Sequence, residues 1–239
     1  MKKIQRLINK VIRILYPRKC MGCSTFISID KDAYLCDICY KDFQREFDNA
    51  CQICGRNIQH KGRCLSCNTA KLHFDKGYSV LVYKNSVREA ILKFKYKGKF
   101  NYAQYLGKIL CSYCTTNSID GYDYITAVPL HKDRYKQRGY NQAKLLGKIL
   151  AKHTNTPYKD LLIRYKNTLP QNALNKSQRE KNIKNSFGLI NNINLHSKNI
   201  LIVDDIFTTG STINECAKIL KKNGANSVDF ICLSCQSND

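Results

Sequence analysis

Between residues 20 and 67, eight cysteines fall as four CxxC pairs: CMGC (Cys20, Cys23), CDIC (Cys36, Cys39), CQIC (Cys51, Cys54) and CLSC (Cys64, Cys67). Two intervening residues let a tight turn aim both sulfurs at one metal ion, and two such turns complete a tetrahedral all-sulfur site. Gly22 and Gly55 sit in or just after two of these turns, where a positive φ is useful. In a chain expected to stay in a reducing compartment, spacing this regular argues for metal rather than disulfides. With every ligand a thiolate no position is left for water, so the expected ion is a structural Zn2+. The segment also has too few large apolar residues to fold unaided, and metal binding worth roughly 10–16 kcal/mol per site supplies what packing does not. Sequential pairing puts Cys20, Cys23, Cys36 and Cys39 on one ion and Cys51, Cys54, Cys64 and Cys67 on the second. An interleaved cross-brace uses the same residues and stays open at this point. The isolated pairs CSYC (Cys111, Cys114) and CLSC (Cys232, Cys235) read as core positions of a helix and of a terminal strand.

At 239 residues the chain can bury a real core, as one large domain or as one of ordinary size plus a small one. Its uninterrupted apolar runs are too short to span a bilayer. The opening MKKIQRLINKVIRILYP is basic, but Arg6, Lys10 and Arg13 interrupt any signal-peptide core. Its apolar residues form one helical stripe, read as a helix docked on its own domain in preference to a membrane-surface helix over residues 1–17. Cytoplasm is the expected location. Forty basic against 18 acidic residues give a formal charge of +22, which favours polyanions: nucleic acid, anionic membrane or phosphate-rich small molecules. Lys, Asn and Ile are all abundant, as AT-rich coding alone produces, so location counts for more than the total. Residues 131–152 hold seven Lys or Arg against Asp133, and residues 84–108 hold seven against Glu89. Tyrosines interleave both blocks and could stack on bases.

Past Cys67 the cysteines thin out and longer periodic segments begin. That places a boundary near residue 72, with a basic helix and cysteine-rich domain over 1–72 and a second domain over 73–239. GYSVLVYK reads as a strand, SVREAILKFKY and NYAQYLGKILCSYC as helices, YDYITAVPL as a strand ending at Pro129, GYNQAKLLGKILAKH as a helix and PYKDLLI as a further short strand. NILIVDD and SVDFICLS are strands flanking the helix NECAKILKKNGA. Strand and helix alternating at these lengths imply right-handed crossovers: an α/β fold with an open, mostly parallel sheet and helices on both faces.

Sites in such sheets form outside the carboxyl ends of the strands. There, ILIVDDIFTTGST runs from a buried strand through two carboxylates into a segment of hydroxyls around one glycine at a helix start. Thr208, Thr209, Gly210, Ser211 and Thr212 present successive backbone N–H groups, a phosphate cradle. It is neither GxxxxGK[ST] nor GxGxxG. Carboxylates do not suit a phosphate, so Asp204 and Asp205 are read as acceptors for vicinal sugar hydroxyls or holders of a hydrated magnesium beside them. A phosphorylated ribose satisfies both halves.

VDDIFTTGST closely resembles the phosphoribosyl-pyrophosphate (PRPP) signature of type I phosphoribosyltransferases. AVPLHKDRYKQRGYNQA resembles the VP-x-x-R-x-x-x-RG-F-NQ segment of the ComF family of ComFC-like competence proteins, with Tyr140 in place of the commoner Phe. TLPQNALNKSQREKNIKNSF resembles that family's Q-x-x-L…R-x-x-N…F segment through Gln171, Leu174, Arg179, Asn182 and Phe187. The cysteine-rich region is similar to its amino-terminal double zinc ribbon, so the resemblance covers nearly the whole chain.

The resemblance implies a type I phosphoribosyltransferase-like domain behind two zinc sites. It assigns Asp204 and Asp205 to the ribose hydroxyls and Thr208, Thr209, Gly210, Ser211 and Thr212 to the 5′-phosphate. Pro129, Leu130 and His131 fall where related transferases hold pyrophosphate, with Arg134 and Arg138 as helpers. Residues 167–184 correspond to a loop closing over PRPP, with Arg179 its contact to pyrophosphate. Mg2+ is expected with PRPP. No general base is legible, and the acceptor is unread. The expected function is therefore competence-linked PRPP binding, with phosphoribosyl transfer or with PRPP sensing by a module that grips single-stranded DNA; competence or recombination proteins are further expected partners. Metal analysis of the purified protein is expected to find about two zinc ions per chain, the content of two four-cysteine sites; about one ion, or none, removes the double-site reading.

Overall fold

The computed structural model describes residues 17–28, 33–44, 47–166, 183–190 and 193–236. The amino-terminal stretch read as an amphipathic helix lies outside these residues up to position 16. So do Gln171, Leu174, Arg179 and Asn182 of the basic segment.

Among the described residues of the cysteine-rich part the regular elements are few and short. Helix α1 (Asp37–Asp42), strands β1 (Asn49–Ala50) and β2 (Asn57–Ile58) in an antiparallel pair, and helix α2 (Leu65–Thr69) are all short. Each helix starts directly after a cysteine, Cys36 or Cys64, held in extended conformation. Gly55 has φ 69°, in the left-handed region the turn was expected to need. Gly22 serves otherwise: its φ is ordinary, and a Cβ there would stand 2.6 Å from Cβ of Ser86 and 2.9 Å from Sγ of Cys39.

The remainder runs β3 (Gly77–Val82), α3 (Asn85–Tyr96), α4 (Tyr102–Thr116), β4 (Tyr124–Ala127), α5 (Lys132–Arg138), α6 (Gln142–Thr154), β5 (Leu162–Arg164), β6 (Phe187–Leu189), β7 (Asn199–Phe207), α7 (Ser211–Lys222) and β8 (Ser227–Cys235). The main sheet has the order β3-β8-β7-β4 and every pairing in it is parallel. Central β7 explains the unbroken apolar run: Ile200, Leu201, Ile202 and Val203 are all buried, each contributing roughly 1.5–3 kcal/mol of transfer free energy. Alternate residues feed two cores. Leu201 and Val203 pack with Ile231, Leu233 and the apolar faces of α3, α4 and α6, while Ile200 and Ile202 pack with Val228, Phe230 and α7.

PYKDLLI divides. Tyr158 makes one parallel bridge with Ile125 of β4, and the chain then leaves the sheet so that β5 pairs antiparallel with β6 as a separate two-stranded unit. Pro157 can accept a hydrogen bond from Ile125 N (3.0 Å) but has no N–H of its own to extend the ladder. Helix α5, which periodicity did not single out, is capped at its start by His131, whose Nδ1 accepts from Asp133 N, and is stopped by Gly139 in the left-handed region at φ 81°. Cys111, Cys114, Cys232 and Cys235 are buried in α4 and β8, as core residues should be. No helix among the described residues is long and apolar enough to cross a membrane.

The cysteine-rich part shares both cores. Cys20, Met21, Ile27, Leu35, Cys39 and Phe43 join the cluster of Val87, Ile91, Phe94 and Leu106, whereas Cys51, Cys54, Cys64 and Cys67 join that of Phe74, Phe207 and Phe230. At the second junction Phe230 stacks on Phe207 with centroids 4.7 Å apart and meets Phe74 edge-on at 4.9 Å. Gly77 lets the backbone of β3 approach this triad; a Cβ there would lie 2.2 Å from the Phe230 ring and 3.0 Å from Cys54 Cα. Gly77→Ala is therefore expected to cost about 1–3 kcal/mol in denaturant unfolding, and an unchanged midpoint would contradict this packing.

Candidate functional site

The eight clustered cysteines form two groups, Cys20, Cys23, Cys36 and Cys39, and Cys51, Cys54, Cys64 and Cys67, with the sulfurs of each group within 4.8 Å of one another. Pairing is thus sequential, and the cross-brace is ruled out. Sγ of Cys23 lies 3.7 Å from Sγ of Cys36, and Sγ of Cys54 lies 3.8 Å from Sγ of Cys64. A tetrahedron with Zn–S bonds of about 2.3 Å has edges of about 3.8 Å, so both groups fit Zn2+. In each, one amide donates to a sulfur: Cys36 N to Cys20 Sγ at 3.4 Å and Cys64 N to Cys51 Sγ at 3.3 Å. Such bonds steady thiolate ligands.

The acidic pair closes the carboxyl end of β7, flanked by β4 and β8. Asp205 is 6% exposed and pairs with Lys95 Nζ, from the last turn of α3, at 2.9 Å. Burial alone would lower the Lys95 pKa, but the Asp205 carboxylate outweighs it and holds the ammonium above its ordinary value. Asp204 is more open. Burial, and after it the neighbouring Asp205 charge, push its carboxyl up to about 7, against the opposing pull of Lys95 and, more weakly, Arg164. The turn that follows places Gly210 at φ 83° immediately before α7, without a side-chain cap on that helix. Thr209 and Ser211 hydroxyls bond each other at 2.8 Å. Among the described residues the amides of Thr209 and Gly210 have no hydrogen-bond partner, which leaves them open to an anion at the positive end of a 12-residue helix.

Asp204, Asp205, Thr208, Gly210 and Thr212 line one cavity of about 420 Å3, together with Pro129, Leu130, Arg134 and Arg138 from the β4–α5 turn and its helix. Thr209 and Ser211 face a second cavity, of about 480 Å3, behind the same turn. His131 lines neither cavity: its ring caps α5 and its Nε2 lies 3.1 Å from the Tyr165 carbonyl oxygen. Arg138 is engaged, donating to Gln142 Oε1 at 2.6 Å and lying over the Tyr96 ring at 4.9 Å. Arg179 lies outside the described residues.

Three cations escaped sequence reasoning. Lys95 is one lysine among several in FKYKGKF. Arg164 ends β5, lines the first cavity and has its pKa pushed down to about 10, by burial and then by Arg134. Its only signal was a charge directly after the apolar trio LLI. Arg56, two residues past Cys54, is 1% exposed and donates through Nη2 to the carbonyl of Thr208. Nothing in the sequence connects it with a residue so distant along the chain.

Comparison with known proteins bears on the whole chain. Residues 11–68 match the double zinc ribbon domain and residues 143–237 the phosphoribosyl transferase domain. Competence protein F of Haemophilus influenzae is 30% identical over 217 residues, covering 88% of this chain and 93% of that protein. DNA utilization protein YhgH of Escherichia coli is 28% identical, covering 83% and 89%, and competence protein ComFC of Bacillus subtilis is 26% identical, covering 81% and 80%. With the two domain matches in this order and relatives aligned over more than four-fifths of its length, the chain belongs to the ComF family, a double zinc ribbon followed by a phosphoribosyltransferase-type open parallel sheet.

Proposed function

We propose that the chain binds PRPP at the corner between β7 and α7 and supports displacement of its pyrophosphate by an acceptor nucleophile. The observation that carries this reading is the single cavity shared by two carboxylates, an open helix N-terminus and three arginines. Asp204 and Asp205 accept hydrogen bonds from the ribose hydroxyls, and Thr208–Thr212 takes the 5′-phosphate. Arg134, Arg138 and Arg164 oppose the pyrophosphate charge beside Pro129 and Leu130. In the reaction the C1–O bond to pyrophosphate breaks, its electrons leaving with the pyrophosphate, and a bond from the acceptor forms at C1 while the acceptor proton passes to solvent. Fixed cations around the leaving group favour such a transition state with little acid–base work. Mg2+, when bound with PRPP, neutralises further phosphate charge. The residues would fit it, because a half-buried carboxylate lining the cavity, Asp204, beside substrate oxygens is the kind of donor set this ion takes.

The relatives' names, competence and DNA utilization, support a role in handling DNA during transformation. A specific observation supports single-stranded DNA as a partner. Tyr96, which lines the cavity, and Phe100 and Tyr135, close in sequence to other lining residues, are 59%, 65% and 50% exposed, interleaved with the exposed Lys97, Lys99, Lys132 and Lys136. Bases stack on such rings while the cations follow the backbone. Affinity for an oligonucleotide is expected to fall steeply with added salt and to drop further in Tyr96→Ala with Phe100→Ala; salt-insensitive or absent binding removes this partner.

For PRPP, calorimetry with Mg2+ is expected to show binding by the wild type and none by Asp204→Asn; equal affinities would refute the site. The same variant tests the electrostatics. Asp204 holds its proton more tightly when folded, its pKa raised from 3.8 to about 7, so the free protein loses stability as pH rises through that window. Asp204→Asn removes the loss and should melt above the wild type beyond pH 7, by about 2–4 °C per kcal/mol. Asp205→Asn has the opposite sign, since it strands Lys95, at about 3–5 kcal/mol. PRPP binding without pyrophosphate release would leave the sensing module.

A further inference from the structure

We propose that Arg56 is a positioning residue which uses the second four-cysteine knuckle as a base to fix the phosphate loop Thr208–Thr212. The inference rests on the PRPP reading for its consequence, but its geometry is independent of it.

The knuckle is knitted to the sheet before Arg56 leaves it. Gly77 N donates to the Ile53 carbonyl at 2.6 Å, and Ser79 Oγ donates to the Cys54 carbonyl at 3.1 Å. The Arg56 carbonyl accepts from Cys51 N at 2.9 Å, so the backbone of this arginine belongs to the ligand turn itself. From that anchor the side chain reaches the end of β7. Its guanidinium lies 5.0 Å over the ring of Phe207, the last residue of the strand, and Nη2 donates to the carbonyl of Thr208, the first residue of the loop.

That single hydrogen bond has a directional effect. A peptide unit is planar and trans, so its carbonyl and its N–H point opposite ways. With the Thr208 carbonyl turned toward the knuckle, the N–H of Thr209 is turned away from it. Among the described residues this amide makes no hydrogen bond. If the peptide flipped, an oxygen would replace that donor and face an incoming phosphate.

The charge also has a physical reason to be here. A guanidinium 1% exposed needs compensation, and a zinc ion with four thiolates carries a formal charge of −2 beside it in the chain. Knuckle, arginine and loop carbonyl therefore form one connected unit, through which a zinc ion held by Cys51, Cys54, Cys64 and Cys67 would steady the anion cradle by way of a side chain rather than by contact with substrate.

The test uses the full chain with Arg56→Met and Arg56→Lys. Amide hydrogen exchange is followed for the segment 206–213, with 143–152 in α6 as control, zinc per chain by metal analysis and PRPP affinity by calorimetry. In Arg56→Met, loop exchange is expected to rise about tenfold or more, with the control segment and zinc content unchanged. PRPP affinity should fall by at least about tenfold, roughly 1.4 kcal/mol. Arg56→Lys keeps a donor and a charge and should lie between the two; it carries the comparison if the methionine variant loses zinc or control protection. Loop exchange equal to wild type in both variants overturns the proposal, even if PRPP binding weakens. A wild type that binds no PRPP while its loop still responds overturns the PRPP reading and leaves the role of Arg56 standing.

Discussion

Two carboxylates on consecutive residues at the end of a buried strand are costly, because both are taken out of water and each disfavours ionisation of the other. Much of the structure can be read as the means of tolerating Asp204 and Asp205. Successive side chains leave a strand on opposite faces, so the pair is split between the two layers of helices. Asp205 goes to the α3 side, where Lys95 meets it at 2.9 Å, and the Asp204 carboxyl on the other side is pushed up to about 7, by burial and then by the Asp205 charge. A corner organised this way stores unbalanced negative charge on one acid only, next to a cluster of arginines.

Lys95 is useful only if α3 is held in place, and the first knuckle does that. Lys93 Nζ donates to the Met21 carbonyl at 3.1 Å and also to that of Gly22, while Ser86 Oγ donates to Asp42 Oδ2 at 2.6 Å. The second knuckle supplies Arg56 to the other side of the same corner. The cysteine-rich segment therefore does more than occupy one end of the molecule: its first four-cysteine knuckle braces the helix that carries Lys95, and its second carries Arg56, so each is tied to one cation at the end of β7. This also explains how so short a segment, poor in large apolar residues, is ordered, since its buried cysteines complete cores built chiefly by the sheet and its helices.

Elements whose signal is local were legible in the sequence. β7 is apolar along four residues because both faces are covered, α6 and α7 show plain helical periodicity, and CxxC spacing encodes ligand geometry within a turn. The arrangement of the corner was legible as far as a contiguous motif reaches, from Asp204 to Thr212. Contacts between distant segments were not. Lys95, Arg164 and Arg56 are typical members of a chain rich in cations, and only tertiary packing separates them from the solvated remainder. His131, placed by the resemblance in the turn expected to hold pyrophosphate, turns its ring to capping a short helix and to the backbone near β5, a tertiary detail that no local motif announces. Helix α5 was missed because seven residues without a buried face show no apolar period.

The strand order has a bearing on biosynthesis. β3, which follows directly on the zinc-binding part, has β8 as its one neighbour in the main sheet, and β8 is the last strand among the described residues. As the polypeptide leaves the ribosome, both knuckles can take up metal early, but the bed on which the second one rests is missing until Ser227–Cys235 has emerged. A nascent chain halted before that point would carry charged zinc modules and an unpaired strand edge with no sheet to join. The bed of the second knuckle thus waits on β8, however early the metal arrives.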